Sequence, residues 1–295
     1  MRVLQEPFKK LNIYDEVGGW LAKGDGFVNV TGSSGSGTDR VFLMEAFADD
    51  APAKMIITYS DRRAEEIYSD LRFYSRDVYM YPAKDILFFS ADVHGNAITR
   101  RRMEVLRKLA TGEKCTIVAT VDALFDKIPA LSYMNRYVIN IHTMDHLNLD
   151  ELKGKLVDLG YEKTDSVEEP GQFAVRGGII DIFPLTEDCP YRIDMWDDEV
   201  DTIKTFDAES QRSIENVDQL VIYPAGEMVL SKDRINRGIR RIKNELASYS
   251  KKLKAEFKTE AYARIKREVA ELEEQLTEFS ATYGVDSYVD YFYSD

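Results

Sequence analysis

Residues 171–213 read GQFAVRGGIIDIFPLTEDCPYRIDMWDDEVDTIKTFDAESQRS, and three short apolar-rich runs within them decide the fold of this stretch. The runs are Gly178–Phe183, Tyr191–Trp196 and Val200–Phe206, and they are separated by Pro184–Pro190 and by the acidic corner Asp197–Glu199. Apolar runs of this length that are bounded by turn-forming residues predict β-strands. We therefore expect a β-meander here.

The second run has two different faces, because successive side chains of a strand point to opposite sides of a sheet. Its apolar face carries Tyr191, Ile193 and Met195. Its other face presents a cation, an anion and an indole, from Arg192, Asp194 and Trp196. A further cation, Arg176, precedes two glycines that predict a bend or a close backbone contact, which would fix where this arginine points.

These strings resemble a known family, the UvrB-like N-terminal region of bacterial transcription-repair coupling factors (Mfd), a module shared with the excision-repair protein UvrB. The resemblance rests on Arg176–Pro184, Pro190–Asp194, Asp197–Asp201, Phe206-Asp207 and Ser210–Ser213. Looser similarity at Tyr81–Leu87, Val121–Leu124 and Tyr223–Glu227 extends it over nearly the whole chain.

The resemblance implies a noncatalytic module that recruits UvrA to stalled RNA polymerase in nucleotide excision repair. UvrA would bind residues 131–213 through Arg176, Arg192 and Trp196, although the family usually has phenylalanine at the position of Trp196. RNA polymerase and DNA would be contacted only through regions absent from this chain. The full-length proteins of that family are ATP-dependent DNA translocases, whereas this fragment is expected to have no enzymatic activity.

The predicted fold class is α/β with three parts. Residues 1–130 alternate strands with helices, which predicts an open, mostly parallel, P-loop-like sheet. Residues 131–213 are expected to form an inserted α+β domain that carries the antiparallel meander. Residues 214–295 would contribute the strand Val217–Tyr223, returning to the first sheet and making the first domain discontinuous, and then two helices with apolar residues at alternating spacings of three and four.

A phosphate-binding loop is predicted after the strand Phe27–Thr31, but it is degenerate. Gly32 and Gly37 hold the glycine positions of such a loop, whereas Thr38 takes the place of its lysine and Asp39 the place of its magnesium-binding hydroxyl. A carboxylate at a helix N-terminus can itself occupy the site of the anion. We therefore expect no bound nucleotide and no other cofactor.

The overall charge argues against general attraction to nucleic acid. The chain has 295 residues, of which 39 are basic and 52 acidic, and its formal net charge is −13. The basic triplet Arg100–Arg102 is accordingly interpreted as the solvated face of a helix. The only two cysteines, Cys115 and Cys189, lack metal-binding spacing and fit a reducing compartment, and no apolar run of membrane length occurs. We expect a cytoplasmic protein without a metal site.

An alternative function remains open at this point. Asp181, Asp194 and the corner Asp197–Glu199 could form the magnesium site of a nuclease or phosphatase. Acidic residues at a strand corner are ordinarily solvated turn formers, and neither a general base nor a phosphate-binding lysine accompanies these carboxylates. The sequence favours the recruitment module.

Overall fold

The computed structural model describes residues 2–24, 29, 37–47, 51–84, 92–256, 258–278 and 285–293. The chain separates into two compact units. The first unit contains Met1–Lys84 and Glu104–Phe125, and the second contains Asp85–Met103 and Asp126–Asp295.

The first unit is an α/β arrangement. Its helices are α1 (Arg2–Lys9), α2 (Asn12–Ala22), α3 (Thr38–Phe47) and α4 (Asp61–Tyr74), and its strands are β1 (Ala53–Thr58), β2 (Val78–Tyr81) and β3 (Cys115–Thr120). The described strands form a parallel sheet in the order β1-β3-β2, as predicted. The apolar stripe of α4 packs on this sheet through Ala64, Ile67 and Leu71, and the Ser60 hydroxyl caps the helix by accepting a hydrogen bond from the Arg63 amide at 3.3 Å.

The predicted phosphate loop is described only at its end. The strand Phe27–Thr31 and the loop from Gly32 to Ser36 lie outside the described residues, except for position 29. Gly37 has a φ of 100°, a left-handed conformation that favours glycine, and α3 begins directly after it. A Cβ atom at Gly37 would lie 2.1 Å from Nη2 of Arg63, so the guanidinium needs the space that this glycine leaves.

Helix α5 (Asp92–Thr111) carries the basic triplet, and for one member our interpretation was wrong. The Arg102 side chain is fully buried rather than solvated, and it forms ion pairs with Glu227 and, at 3.0 Å, with Asp126. Arg100 pairs with Asp188 at 2.6 Å. Burial of Arg102 is possible because two carboxylates supplied by distant parts of the chain compensate its charge.

The second unit contains most of the strands. After a 3₁₀ turn at Asp122–Leu124 in the first unit, its elements are α6 (Leu131–Arg136), β4 (Ile139–His142), α7 (Leu149–Asp158), β5 (Glu162–Lys163), β6 (Gln172–Arg176), β7 (Ile179–Ile182), β8 (Tyr191–Trp196), β9 (Glu199–Phe206), β10 (Ser213–Val217), β11 (Gln219–Ile222), α8 (Lys232–Ala255), α9 (Thr259–Glu278) and α10 (Val289–Phe292), with a 3₁₀ turn at Val285–Tyr288.

The meander is confirmed and is larger than predicted. Strands β6 to β10 pair antiparallel with their neighbours in sequence, and β5 adds a short parallel edge, giving the order β10-β9-β8-β7-β6-β5. One side of this sheet is apolar, and Phe173, Ile180, Ile193 and Ile203 lie buried on it. Tyr191 and Met195 pack against the same core, as the alternation predicted.

In the part of the chain that the structure describes, the strand predicted to return to the first sheet pairs with a different strand. Strand β11 pairs antiparallel with β4 in a two-stranded sheet, with Leu220 opposite Ile141. Leu220 and Ile141 are both buried in the core that α7 covers with Leu152 and Leu156. The apolar side chains of this strand are therefore used within the second unit.

Helices α8 and α9 pair as the spacing of their apolar residues predicts. Ile235, Ile239 and Ile242 of α8 form a cluster with Leu272 and Leu276 of α9, and Phe292 of α10 closes it. No helix in the described ranges combines the length and the apolar character needed to cross a bilayer.

Candidate partner-binding surface

The side of the meander opposite the larger apolar core carries polar side chains beside a small buried apolar cluster that includes Ala174 and Phe206, and we call its polar part the polar face. It comprises Arg176, Ile179, Asp181, Arg192, Asp194, Trp196, Thr202 and Lys204. The strand register places Arg192 between Asp181 and Lys204 as direct cross-strand neighbours. The next row across the strands contains Ile179, Asp194 and Thr202. The three residues predicted to contact a partner thus lie on one surface.

Asp181 is the anchor of the polar face. Its carboxylate is fully buried, and it accepts hydrogen bonds from Arg192 Nε at 2.7 Å and from Arg192 Nη2 at 2.9 Å. These hydrogen bonds raise the pKa of the Arg192 guanidinium. The Arg192 side chain is only 18% exposed, and its guanidinium carbon lies 4.5 Å from the centre of the Phe206 ring. Arg192 is therefore held rigidly within the sheet.

The turn after β9 completes the support of Arg192. Asp207 accepts hydrogen bonds from the amide and the hydroxyl of Ser210, at 2.8 and 2.6 Å, which closes a tight turn. Gln211 follows with a φ of 60°, and its carbonyl and side-chain oxygens accept hydrogen bonds from Arg192 at 3.4 and 3.3 Å. The Gln211 side-chain amide donates in turn to Val167 and Ala208. The string Phe206–Gln211 thus holds the guanidinium in place.

Arg176 has the opposite character, because half of its side chain is exposed. One of its guanidinium nitrogens donates a hydrogen bond to Asp181, and 49% of the side chain remains accessible. The two-residue turn after it explains its direction. Gly177 has a φ of 61°, and a Cβ atom at Gly178 would lie 3.1 Å from the carbonyl oxygen of Met195. Both effects that the sequence predicted for this glycine pair, the bend and the close contact, are present.

Trp196 is 80% exposed at the end of β8. It lies opposite Glu199 across the hairpin, whose turn residue Asp197 adopts a φ of 57°. Trp196 is thus not part of the core, whose side of the strand is occupied by the neighbouring Met195. An indole in this position presents a large apolar surface to solvent.

Asp194 and Lys204 form a second charged pair on the polar face. Asp194 accepts hydrogen bonds from Lys204 Nζ at 2.8 Å and from the Thr202 hydroxyl at 3.0 Å. Partial burial opposes the negative charge of Asp194, but the hydrogen bonds from Lys204 and Thr202 outweigh this effect and lower its pKa. The charge of Asp194, which lies between Arg176 and Trp196 on the polar face, is therefore compensated by the neighbouring Lys204.

The carboxylates of the alternative magnesium site are not brought together. Asp181 is bound to two arginines and Asp194 to a lysine, while Asp197, Asp198 and Glu199 are exposed at the hairpin. In the part of the chain that the structure describes, no group of three or more histidine, cysteine, aspartate or glutamate side chains has a geometry that could hold a metal ion. The arrangement does not favour the nuclease or phosphatase function.

Sequence reasoning missed the roles of Asp181, Gln211 and Lys204. Asp181 was considered only as a possible metal ligand, although its position between Ile180 and Ile182 is a usable signal, because a carboxylate in an apolar strand needs a buried partner. Nothing in the sequence identified that partner, since Arg192 is eleven residues away across a loop of undefined register.

Comparison with known proteins agrees with the family resemblance found in the sequence. Residues 139–228 match the family described as "UvrB interaction domain". The chain is 32% identical over 262 residues to a transcription-repair-coupling factor of Bacillus subtilis, covering 88% of this chain and 22% of that protein. It is 28% identical over 290 residues to UvrABC system protein B of Fervidobacterium nodosum, covering 92% of this chain and 43% of that protein.

A transcription-repair-coupling factor of Staphylococcus aureus is 29% identical over 219 residues, covering 74% of this chain and 18% of that protein. The chain thus spans less than half of the length of each of these relatives. The similarity nevertheless runs through both compact units and includes the entire meander. The chain therefore carries a UvrB-like module similar to that of transcription-repair-coupling factors, as its sequence predicted.

Proposed function

We propose that the chain is a noncatalytic recruitment module that binds UvrA through the polar face and so links excision repair to stalled transcription. The observation that carries the proposal is the pair Arg176 and Trp196, which lie exposed on a rigid sheet within the stretch that matches the UvrB interaction domain. The names of the relatives, transcription-repair-coupling factor and UvrABC system protein B, support a role in repair.

The chemistry of the two residues suits a protein interface. Tryptophan and arginine are enriched among the residues that dominate binding energies, because one offers a large apolar anchor and the other a planar fork for carboxylates. Arg176 and Trp196 lie two strands apart, a separation of roughly 10 Å across the sheet. One partner surface of ordinary size, about 800 Å², can cover both residues.

Arg192 has a different role in this proposal. Its guanidinium is committed to Asp181, Gln211 and the Phe206 ring, so little of it is left for a partner. We assign to it the positioning of Asp181, which in turn directs Arg176. Of the three residues predicted to contact UvrA, Arg176 and Trp196 touch the partner, whereas Arg192 acts on Arg176 through Asp181.

The test is the affinity of the 295-residue chain for immobilised UvrA. Arg176→Ala and Trp196→Ala should each weaken binding by about 1–3 kcal/mol, roughly 5- to 150-fold, because each removes a central contact. The matched control is Arg62→Ala with Phe73→Ala, which truncates an exposed arginine and an exposed aromatic residue in the first unit. Full affinity of the two test variants, or equal loss in the control, would contradict the proposal.

The noncatalytic part of the proposal has its own test. Thr38 and Asp39 replace the lysine and the hydroxyl that a nucleotide site requires, so titration calorimetry with Mg-ATP should give only the heat of dilution. Saturable micromolar binding would restore a nucleotide-dependent function for the first unit.

A further inference from the structure

Helix α8 differs in charge from the rest of the chain. It contains nine lysines and arginines against two acidic residues, in a chain whose formal net charge is −13. The side of α8 that packs against α9 is apolar, and its outward side carries a straight row that we call the basic stripe. This stripe consists of Arg237, Arg240, Asn244, Ser248 and Lys251, all of them exposed.

The basic stripe is not the balanced surface of an ordinary solvated helix. Arg237, Arg240 and Lys251 make no ion pair or side-chain hydrogen bond with any residue that the structure describes. The adjacent helix α9 shows the ordinary arrangement, because Arg264 pairs with Glu268 and Arg267 with Glu271. Like charges three or four residues apart, such as Arg237 beside Arg240, destabilise a helix that has no partner for them.

We propose that the basic stripe binds the phosphate backbone of duplex DNA. From Arg237 to Lys251 the stripe extends about 21 Å along the helix axis, which is long enough to reach phosphates on both sides of a major groove about 12 Å wide. Arginine and lysine neutralise phosphates, and the residues between them, Asn244 and Ser248, are short, uncharged hydrogen-bonding groups of the kind that contact the DNA backbone.

The distribution of charge favours an extended polyanion over a compact acidic ligand. The cations follow one line instead of converging on a point, and the net negative charge of the remaining chain would repel DNA elsewhere and so orient it on α8. The overall charge argues against general attraction to nucleic acid, but it conceals this basic helix. The proposal is independent of UvrA binding, because α8 contributes no residue to the polar face.

The experiment is fluorescence anisotropy of a labelled duplex of about 20 base pairs, roughly two helical turns, titrated with the full chain between about 50 and 200 mM salt. The test variant is Arg237→Gln/Arg240→Gln/Lys251→Gln. The control is Arg264→Gln/Arg267→Gln/Lys266→Gln on α9, which changes the net charge by the same amount. Circular dichroism verifies that both variants keep their helices.

The stripe variant should bind at least about tenfold more weakly at about 50 mM salt. For this variant, the slope of log affinity against log salt concentration should be less steep by up to about 2.7. This is about 0.9 for each of the three cations that no longer neutralises a phosphate. The control should bind like the wild type. Absence of wild-type binding, or equal weakening by the two variants, would overturn the proposal. The proposal would also be overturned if poly-L-glutamate displaced the labelled duplex as well as unlabelled DNA does. The basic stripe would then be assigned to binding an acidic protein.

Discussion

The two arginines bound to Asp181 should respond very differently to truncation. Arg192→Ala removes two of the three arginine hydrogen bonds to a carboxylate that is fully buried. Loss of one partner of a buried ion pair typically costs about 3–5 kcal/mol. Because Arg176 remains as a half-exposed partner, we expect Arg192→Ala to lower the free energy of unfolding by about 2–4 kcal/mol.

Arg176→Ala should be nearly neutral for stability. Asp181 keeps both hydrogen bonds from Arg192, and the ion pair that is removed is half exposed, so the expected cost is about 0–1 kcal/mol. The assay is urea unfolding followed by circular dichroism, with the double variant Asp181→Ala/Arg192→Ala completing a cycle. The double variant should be less destabilised than the sum of the single variants by at least about 1 kcal/mol, since it leaves no buried charge without its main partner.

Two results would contradict these expectations for Arg192 and Arg176. A cost below about 1 kcal/mol for Arg192→Ala would mean that Asp181 is not held by a buried ion pair. A cost for Arg176→Ala equal to that of Arg192→Ala would mean that the exposed arginine is structural, which would leave Trp196 as the only free contact of the proposed surface.

Three further predictions concern the second unit. Arg102→Gln should destabilise it by about 3–5 kcal/mol in urea, because two carboxylates lose their buried cation, and a cost under about 1 kcal/mol would contradict this. Burial raises the pKa of Tyr293 from 10.0 to about 12, so the folded state holds this proton more tightly than the unfolded state, and the contribution of Tyr293 to stability should be constant just below pH 10 and be lost as the pH rises toward 12. Tyr293→Phe should flatten this decline, and an unchanged slope would show that other groups cause it. A fragment of residues 131–213 lacks part of the core that β11 supplies and should not unfold cooperatively, whereas residues 131–230 should; cooperative unfolding of the shorter fragment would restore the boundary expected from the sequence.

The periodic features of the sequence predicted most of the elements. The strand Tyr191–Trp196 was predicted with its observed bounds, and the alternation of its side chains identified both faces. Local turn chemistry was also readable, as the glycine pair after Arg176 shows. These predictions succeeded because each depends on residues close together in the chain.

The errors have the opposite origin. Arg102 is buried because Asp126 and Glu227 meet it, and these residues lie 24 and 125 positions away. Strand β11 was assigned to the wrong sheet because an apolar strand pattern does not specify its pairing partner. The role of Asp181 in holding the two arginines was not predicted for the same reason. It depends on the register between strands, which no local sequence pattern specifies.

Photocrosslinking can determine whether the polar face of the meander contacts UvrA. A photoreactive benzoylphenylalanine replaces Trp196 in one sample and Phe73, which is 73% exposed in the first unit, in another. Each 295-residue chain is irradiated with UvrA, and crosslinked species are identified by mass spectrometry. We expect a crosslink to UvrA from position 196 and none from position 73. Crosslinking from position 73 alone, or from neither position while the complex forms, would place the UvrA contact on another surface of the chain.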